Sequence, residues 1–404
     1  MLQSKFKEFL KLEAAGGILL IFAAALAMML KNSGFGDLYN AFLNTPGEIR
    51  VGALYIAKPL FLWVNDGLMA IFFFMIGMEV KREILIGELS ELNQITLPAI
   101  AGVGGIIVPA GLYYLITMDD PLALQGWAIP TATDIAFALG ILALVGPRVP
   151  TALKLFLMTL AIIDDLGAIL IIAFFYTSEL STMSLSVAAG AIGWLFLLKL
   201  RKVTSITPYL MVGLILWVAV LKSGVHATLA GVILGFFIPL KGMDEDNKEY
   251  SPLDKLIHDL HPAVAFGILP LFAFANAGIN LSGMSTNDLL SGIPLAIVVG
   301  LFFGKQIGVF GFAWVAIMLG LCKKPEGSNW GQIYGVALLC GVGFTMSLFV
   351  GSLAFEGSGL GYSRPDRLGI VVGSLVAGIL GFIVLKLASK NATDTTDNKD
   401  RPQI

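Results

Sequence analysis

Residues 151–176 read TALKLFLMTLAIIDDLGAILIIAFFY, an apolar run with two adjacent aspartates, Asp164 and Asp165, at its centre. A helix needs about 20 predominantly apolar residues to span a bilayer, and this run supplies them. An ionisable side chain at mid-span costs roughly 2.5–3.5 kcal/mol on insertion scales, so a pair of them requires a reason. Adjacent helix positions are rotated by about 100°, so the two carboxylates cannot share one proton face to face. They can touch different neighbours while lining one cavity.

Further segments long enough to span lie at 13–30, 59–80, 96–118, 122–145, 183–199, 206–222, 224–240, 262–280, 292–319, 331–355 and 367–388. With 151–176 they predict an all-α integral membrane protein of twelve transmembrane helices. Composition agrees: 57% of the 404 residues are hydrophobic and 13% are charged, about half the roughly 25% charged share of a soluble domain. The net charge of −2 leaves no basic field to hold nucleic acid. Cys322 and Cys340 have no companions that suggest a metal site and read as packing residues.

Lys5, Lys7 and Lys11 before the run 16–30 give the start of the chain the look of a signal peptide. No small-residue cleavage site followed by a polar domain appears. Phe6, Phe9, Leu10 and Leu12 instead read as one face of a short interfacial helix leading into the first span. An even number of spans puts both termini on one side. If that side is the cytoplasm, inside segments hold nineteen of the 26 Lys and Arg and outside segments six, with Lys305 left within a span. The positive-inside rule therefore fixes both termini as cytoplasmic. Residues 1–388 form one membrane domain, with a long outer (periplasmic) loop at 31–58 and an acidic, charged cytoplasmic loop at 241–256. Within the outer loop, 49–57 is expected to form a hairpin and a homodimer contact. The tail 389–404 is rich in Lys, Asp, Thr and Asn and is expected to be disordered.

The remaining ionisable residues inside spans are Asp66, Glu79, Asp134 and Lys305. Asp66 and Glu79 stand near opposite ends of the second span, where interfacial water explains them equally well. Asp134 sits mid-span in Ile129-Pro-Thr-Ala-Thr-Asp-Ile-Ala-Phe. Pro130 removes a backbone donor, and Thr131 and Thr133 compete for backbone partners, so a broken helix is predicted here. Such a break is tolerated at membrane depth only where it faces protein or a wet cavity. Cys340-Gly-Val-Gly-Phe-Thr-Met-Ser in the eleventh span predicts a second break. Helices 3–5 and 10–12 then form inverted-topology repeats with broken helices 4 and 11, the architecture of secondary transporters with a midplane site. Half-helix ends meeting there carry partial charges. Asp134 is expected to offset the positive ends, and Lys305 either to offset the negative ends or to pair with an aspartate.

These stretches, with Ser223-Gly-Val-His-Ala-Thr-Leu-Ala-Gly, resemble the NhaA-type bacterial sodium/proton antiporters over essentially the whole chain. That family is among the cases from which the inverted-repeat rule was drawn, so rule and resemblance are one observation. The resemblance implies exchange of cytoplasmic Na⁺ or Li⁺ for external H⁺ across a bacterial inner membrane, electrogenic and pH-regulated, with no cofactor. It makes Asp165 and Asp164 the ion and proton carriers, with Thr133 an oxygen ligand, Asp134 and Lys305 the compensating charges, and Lys305 a partner of Asp164. Asp66 would line the outer pathway. A pH-responsive cluster at the cytoplasmic mouth would map onto Glu79, Arg82, Glu83, His258 and His261, with His226 also implicated. Familiar members carry a glutamate just before the first of the paired histidines, where this chain has Ile257.

Sodium is a hard cation that takes oxygen ligands, which carboxylates, hydroxyls and freed backbone carbonyls supply. Protons compete for the same carboxylates, which makes exchange possible. A sodium-coupled symporter would use the same architecture, but the charged groups here are few and the pocket residues small. An intramembrane aspartyl protease would need carboxylates facing each other from two helices and a Gly-x-Gly-Asp signature that is not in this sequence. A passive channel suits tightly held carboxylates least.

Overall fold

The computed structural model describes residues 2–52, 54–87, 92–146, 148–177, 180–243, 249–282, 284–355 and 364–397. Along the chain run α1 (Leu2–Lys31), α2 (Gly36–Asn44), an antiparallel hairpin of β1 (Pro46–Val51) and β2 (Leu54–Pro59), α3 (Leu60–Ile86) and α4 (Leu92–Thr117). There follow α5 (Ile135–Val145), α6 (Thr151–Phe175), α7 (Thr182–Leu200), α8 (Thr207–Leu221), α9 (Thr228–Phe237) and α10 (Pro252–Asn276). The chain ends with α11 (Gly292–Met318), α12 (Trp330–Leu339), α13 (Phe344–Ala354) and α14 (Pro365–Asp397). The protein is thus mostly helical, with small hairpins outside the long helices.

Among the described residues eight helical segments are long and apolar enough to cross a membrane, and ten if each of two bent pairs counts as one. The bent pairs are α1 with α2, at 114°, and α12 with α13, at 40°. The apolar helices α8 and α9 are shorter. Between them Gly224 takes φ +85°, a left-handed conformation open to glycine at little cost.

Several long helices contain π turns, each equivalent to one residue inserted into the helical ladder. They lie at Val64–Leu68 in α3, Val264–Ile268 in α10, and Gly300–Gly304 and Gln306–Gly311 in α11. The last two stand on either side of Lys305.

The chain divides into two compact units. The first comprises Met1–Ile21, Glu91–Ala168 and Ile279–Ile404, and so contains α4, α5, most of α6 and all of α11–α14. Its core joins Leu97 and Ala101 of α4 to Leu139 and Leu142 of α5, Leu157 and Leu160 of α6, Val309 of α11, Val336 of α12 and Leu385 of α14. In lipid, helices gain by close approach at small residues. Here α4 and α11 meet backbone to backbone, since a Cβ added at Gly104 would collide with the Gly308 carbonyl and one at Gly308 with that of Gly104.

The second unit comprises Phe22–Ser90 and Ile169–Gly278. Its core packs Phe74 and Met78 of α3 against Leu195 of α7, Tyr209 and Leu216 of α8, and Leu234 of α9. Gly77, Gly231 and Gly235 bring α3 and α9 into backbone contact.

The expected hairpin at 49–57 lies within the observed β1–β2 pairing. The expected interfacial face of Phe6, Phe9, Leu10 and Leu12 sits on α1, but these side chains lie outside the described residues. Within the charged stretch 241–256, Gly242–Met243 pairs with Glu249–Tyr250, and 244–248 lie outside the described residues. Of the tail, α14 takes in residues up to Asp397, and 398–404 lie outside the described residues.

Candidate functional site: two broken helices around a buried ion pair

The first break begins where Pro130 stands in a short 3₁₀ turn, Ile129–Thr131. The Thr131 hydroxyl turns back to donate to the Ala128 carbonyl at 2.7 Å. Ala132 and Asp134 are extended, and α5 starts only at Ile135. Asp134 caps that helix, its Oδ1 accepting the Phe137 N–H at 3.0 Å. The second break separates α12 from α13 across residues 340–343, with both flanking helices buried.

The two breaks satisfy each other's backbone. The Asp134 N–H donates to the Val342 carbonyl at 2.7 Å. Asp134 Oδ2 accepts the Thr345 N–H at 2.9 Å and also the Thr345 hydroxyl. Ser347 donates to the Ile129 carbonyl at 2.8 Å. One carboxylate therefore serves the N-termini of α5 and α13 together, where each helix carries partial positive charge. Interrupted backbone is sustainable in a water-poor interior on these terms.

Beside this crossing lies Asp164, from α6. Its Oδ2 accepts from Lys305 Nζ at 2.7 Å and from the Thr133 hydroxyl at 2.6 Å. Lys305 and Asp164 side chains are fully buried. The Thr133 oxygen is also 2.9 Å from the Cys340 carbonyl. A threonine hydroxyl has one proton, so it can donate to only one of these acceptors at a time. Asp164 Oδ1 is buried and has no hydrogen-bond partner among the described residues. A buried pair repays its desolvation only when the remaining lone pairs are also satisfied, and here one oxygen is left open. Asp165, the next residue of α6, is 2% exposed. No cluster of three or more His, Cys, Asp or Glu suited to a resident metal occurs among the described residues.

The first unit thus brings Thr133, Asp134, Asp164, Asp165 and Lys305 into one compact body. The other sequence candidates belong to the second unit. Asp66, in the π turn of α3, pairs with Lys58 of β2 at 2.6 Å and has His226 Nε2 at 3.6 Å. Trp217 donates to its backbone carbonyl at 3.0 Å. Glu79, Arg82 and Glu83 stand in the last turns of α3, and His258 and His261 lie on α10. Arg82 reaches Asp254 of α10 at 2.9 Å. Lys58, Asp254 and Thr345 are polar partners that sequence reading did not single out. Thr345 lay within the stretch read as a break, and its polarity in an apolar run was the available signal. Lys58 and Asp254 stand among other charges near span ends, where no signal distinguishes them.

Comparison with known proteins places these features in context. The family profile described as Na⁺/H⁺ antiporter 1 matches residues 7–385. A protein of Magnetococcus marinus named Na(+)/H(+) antiporter NhaA 2 is 60% identical over 393 residues, covering 96% of this chain and 98% of that protein. The Na(+)/H(+) antiporter NhaA of Pseudomonas fluorescens strain Pf0-1 is 58% identical, covering 97% and 98% of the two chains. That of Campylobacter concisus is 58% identical, covering 95% and 93%.

Proposed function

The chain belongs to the Na⁺/H⁺ antiporter 1 family, and on that footing we propose that it exchanges cytoplasmic Na⁺ or Li⁺ for external protons across a bacterial inner membrane. It is a transporter and not an enzyme. The observation that carries the proposal is the open oxygen of Asp164. A buried carboxylate holds Lys305 through one oxygen and offers the other unpartnered, beside a hydroxyl that also reaches a carbonyl freed by a helix break.

Sodium takes oxygen ligands, and the donors at hand are the Asp164 carboxylate, the Thr133 hydroxyl and the Cys340 carbonyl, with Asp165 next in the chain. In the proposed cycle the two aspartates lose protons toward the cytoplasm and bind one Na⁺. The site then opens outward, Na⁺ leaves and protons replace it. Asp134 keeps both helix ends neutral throughout, so the carrier aspartates are free to change charge. Two carboxylates titrating against one monovalent ion move net charge, which makes the exchange electrogenic.

The membrane arrangement is part of the same proposal. The apolar helices, counting each bent pair once and including α8 and α9, supply twelve spans, with both termini cytoplasmic by the distribution of Lys and Arg. Two three-helix groups, 96–176 and 292–388, form the inverted repeats, each with a broken middle element. The β1–β2 hairpin is proposed as the homodimer contact. Glu79, Arg82, Glu83, His226, His258 and His261 are proposed to set the pH response, supporting sodium and pH homeostasis.

The test is collapse of an imposed pH gradient in proteoliposomes on adding Na⁺, Li⁺ or K⁺, with wild type beside Asp165→Asn. Na⁺ and Li⁺ responses lost in the variant, and no K⁺ response, are expected. A wild type indifferent to sodium overturns antiport, and electroneutral exchange removes one aspartate from the titrating pair.

A further inference from the structure

Beside the Asp164–Lys305 pair, α4 presents two glycines. Gly102 and Gly105 are three residues apart, on one face of the helix, and both are buried. A Cβ built on Gly105 would stand 3.5 Å from Lys305 Nζ and 3.8 Å from Asp164 Oδ1. One on Gly102 would stand 3.7 Å from that same oxygen. The oxygen both glycines overlook is the buried one with no hydrogen-bond partner among the described residues.

Helix packing alone does not account for these two glycines. Gly104 meets that need, since a Cβ there would strike the Gly308 backbone and the Phe312 ring. At Gly105 the nearest obstacle is a Val309 methyl at 3.0 Å, and at Gly102 an Ile163 methyl at 2.9 Å. The Val309 methyl must give by a few tenths of an ångström, and the Ile163 methyl, on a stiff β-branched side chain, by more. Beyond them the polar atoms of the pair lie at ordinary contact distance. Alanine therefore fits at 105 with a small adjustment, and what it would fill is the space beside the carboxylate.

Resting on the antiport reading, we propose that Gly102 and Gly105 determine which monovalent cation the site accepts, by keeping open the volume beside Asp164 Oδ1. Between hard cations of equal charge, discrimination comes from cavity size, ligand number and rigidity. A methyl group at 105 narrows the gap between the Lys305 ammonium and the open carboxylate oxygen. The larger ion loses contact first, and lithium is the smaller of the two accepted ions.

The experiment compares Na⁺- and Li⁺-driven gradient collapse in proteoliposomes for wild type, Gly105→Ala, Gly105→Ala with Val309→Ala, Gly102→Ala and Gly111→Ala. Val309→Ala removes the one tight contact, and Gly111 has nothing within 4 Å of an added Cβ. The ratio of KM for Na⁺ to KM for Li⁺ should rise about tenfold in both Gly105 proteins, the lower end of what one carbon is worth in a close-fitting site. It should rise less in Gly102→Ala and stay put in Gly111→Ala. If neither Gly105 protein folds by thermal melting, the smaller rise expected in Gly102→Ala is the test. An unchanged ratio in a folded variant, or equal loss for both ions, overturns the proposal. A wild type that exchanges neither ion defeats the antiport reading instead, and the two failures are distinguishable.

Discussion

Thr345 gives both its backbone N–H and its hydroxyl to a single oxygen of Asp134, while the other oxygen of that carboxylate caps Asp134's own helix at Phe137. A side-chain cap is worth about 0.5–2 kcal/mol, and stranding a buried donor costs about 1–3 kcal/mol more. Asp134→Ala should therefore lower the thermal melting point clearly, through both helices at once. Thr345→Val, which keeps the N–H bond, should cost less. A Thr345→Val protein less stable than Asp134→Ala would refute the shared-cap account.

Replacing Lys305 with methionine leaves the Asp164 charge buried without its cation, and breaking a buried pair in this way costs about 3–5 kcal/mol. The melting temperature should fall clearly, because the carboxylate of Asp164 is left without its partner. Adding Asp164→Asn to Lys305→Met should restore much of the stability. A deficit unrelieved in the double variant would show that Lys305 stabilises through packing alone.

Thr133 separates a hydroxyl effect from a shape effect. A hydrogen bond to a charged group is worth about 1.5–3 kcal/mol, and each 1.4 kcal/mol is about tenfold in binding. Thr133→Val should raise the KM for Na⁺ by roughly tenfold or more on that scale, and Thr133→Ser should stay near wild type. Equal KM values for the two variants would remove the hydroxyl from the ion's path.

The Arg82–Asp254 pair is widely exposed, with 47% and 41% of the two side chains accessible. Exposed pairs contribute about 0–1 kcal/mol, so Arg82→Gln should leave the melting point nearly unchanged. If the ends of α3 and α10 govern the pH response, the activity profile should nevertheless move along the pH axis. The swap of Arg82→Asp with Asp254→Arg should bring it back. A profile that stays fixed in Arg82→Gln would take this pair out of pH regulation.

What the sequence made legible followed from cost. Charges such as Asp164 and Lys305 at mid-span are expensive enough to stand out, and Pro130 followed by Thr131 and Thr133 announces a helix that cannot continue. Contacts across the fold left no such mark. That Asp134 would meet Thr345, 211 positions along the chain, depends on how two breaks cross. The choice left open for Lys305 was between a helix end and an aspartate, and its ammonium lies on Asp164 Oδ2. The hairpin was legible as the stretch 49–57, within the pairing that runs from Pro46 to Pro59, but Lys58 was not legible as a partner of Asp66 because many surface lysines look alike. The π turns were invisible, since no residue type is peculiar to an inserted position.

Those π turns make the aim of Lys305 depend on how many residues the helix holds. Gly300–Gly304 and Gln306–Gly311 each fit an additional residue into the turn beside the lysine. Deleting one residue from the regular turns before them, Gly292–Val299, would swing every later side chain by about 100° relative to what precedes it, whereas a residue lost from a π turn itself is absorbed as that turn relaxes to regular pitch. In the first case Lys305 leaves Asp164 with its own chemistry intact. Through 292–299 the gene should tolerate exchanged letters far better than a lost codon, making the spacing itself an inherited part of the site.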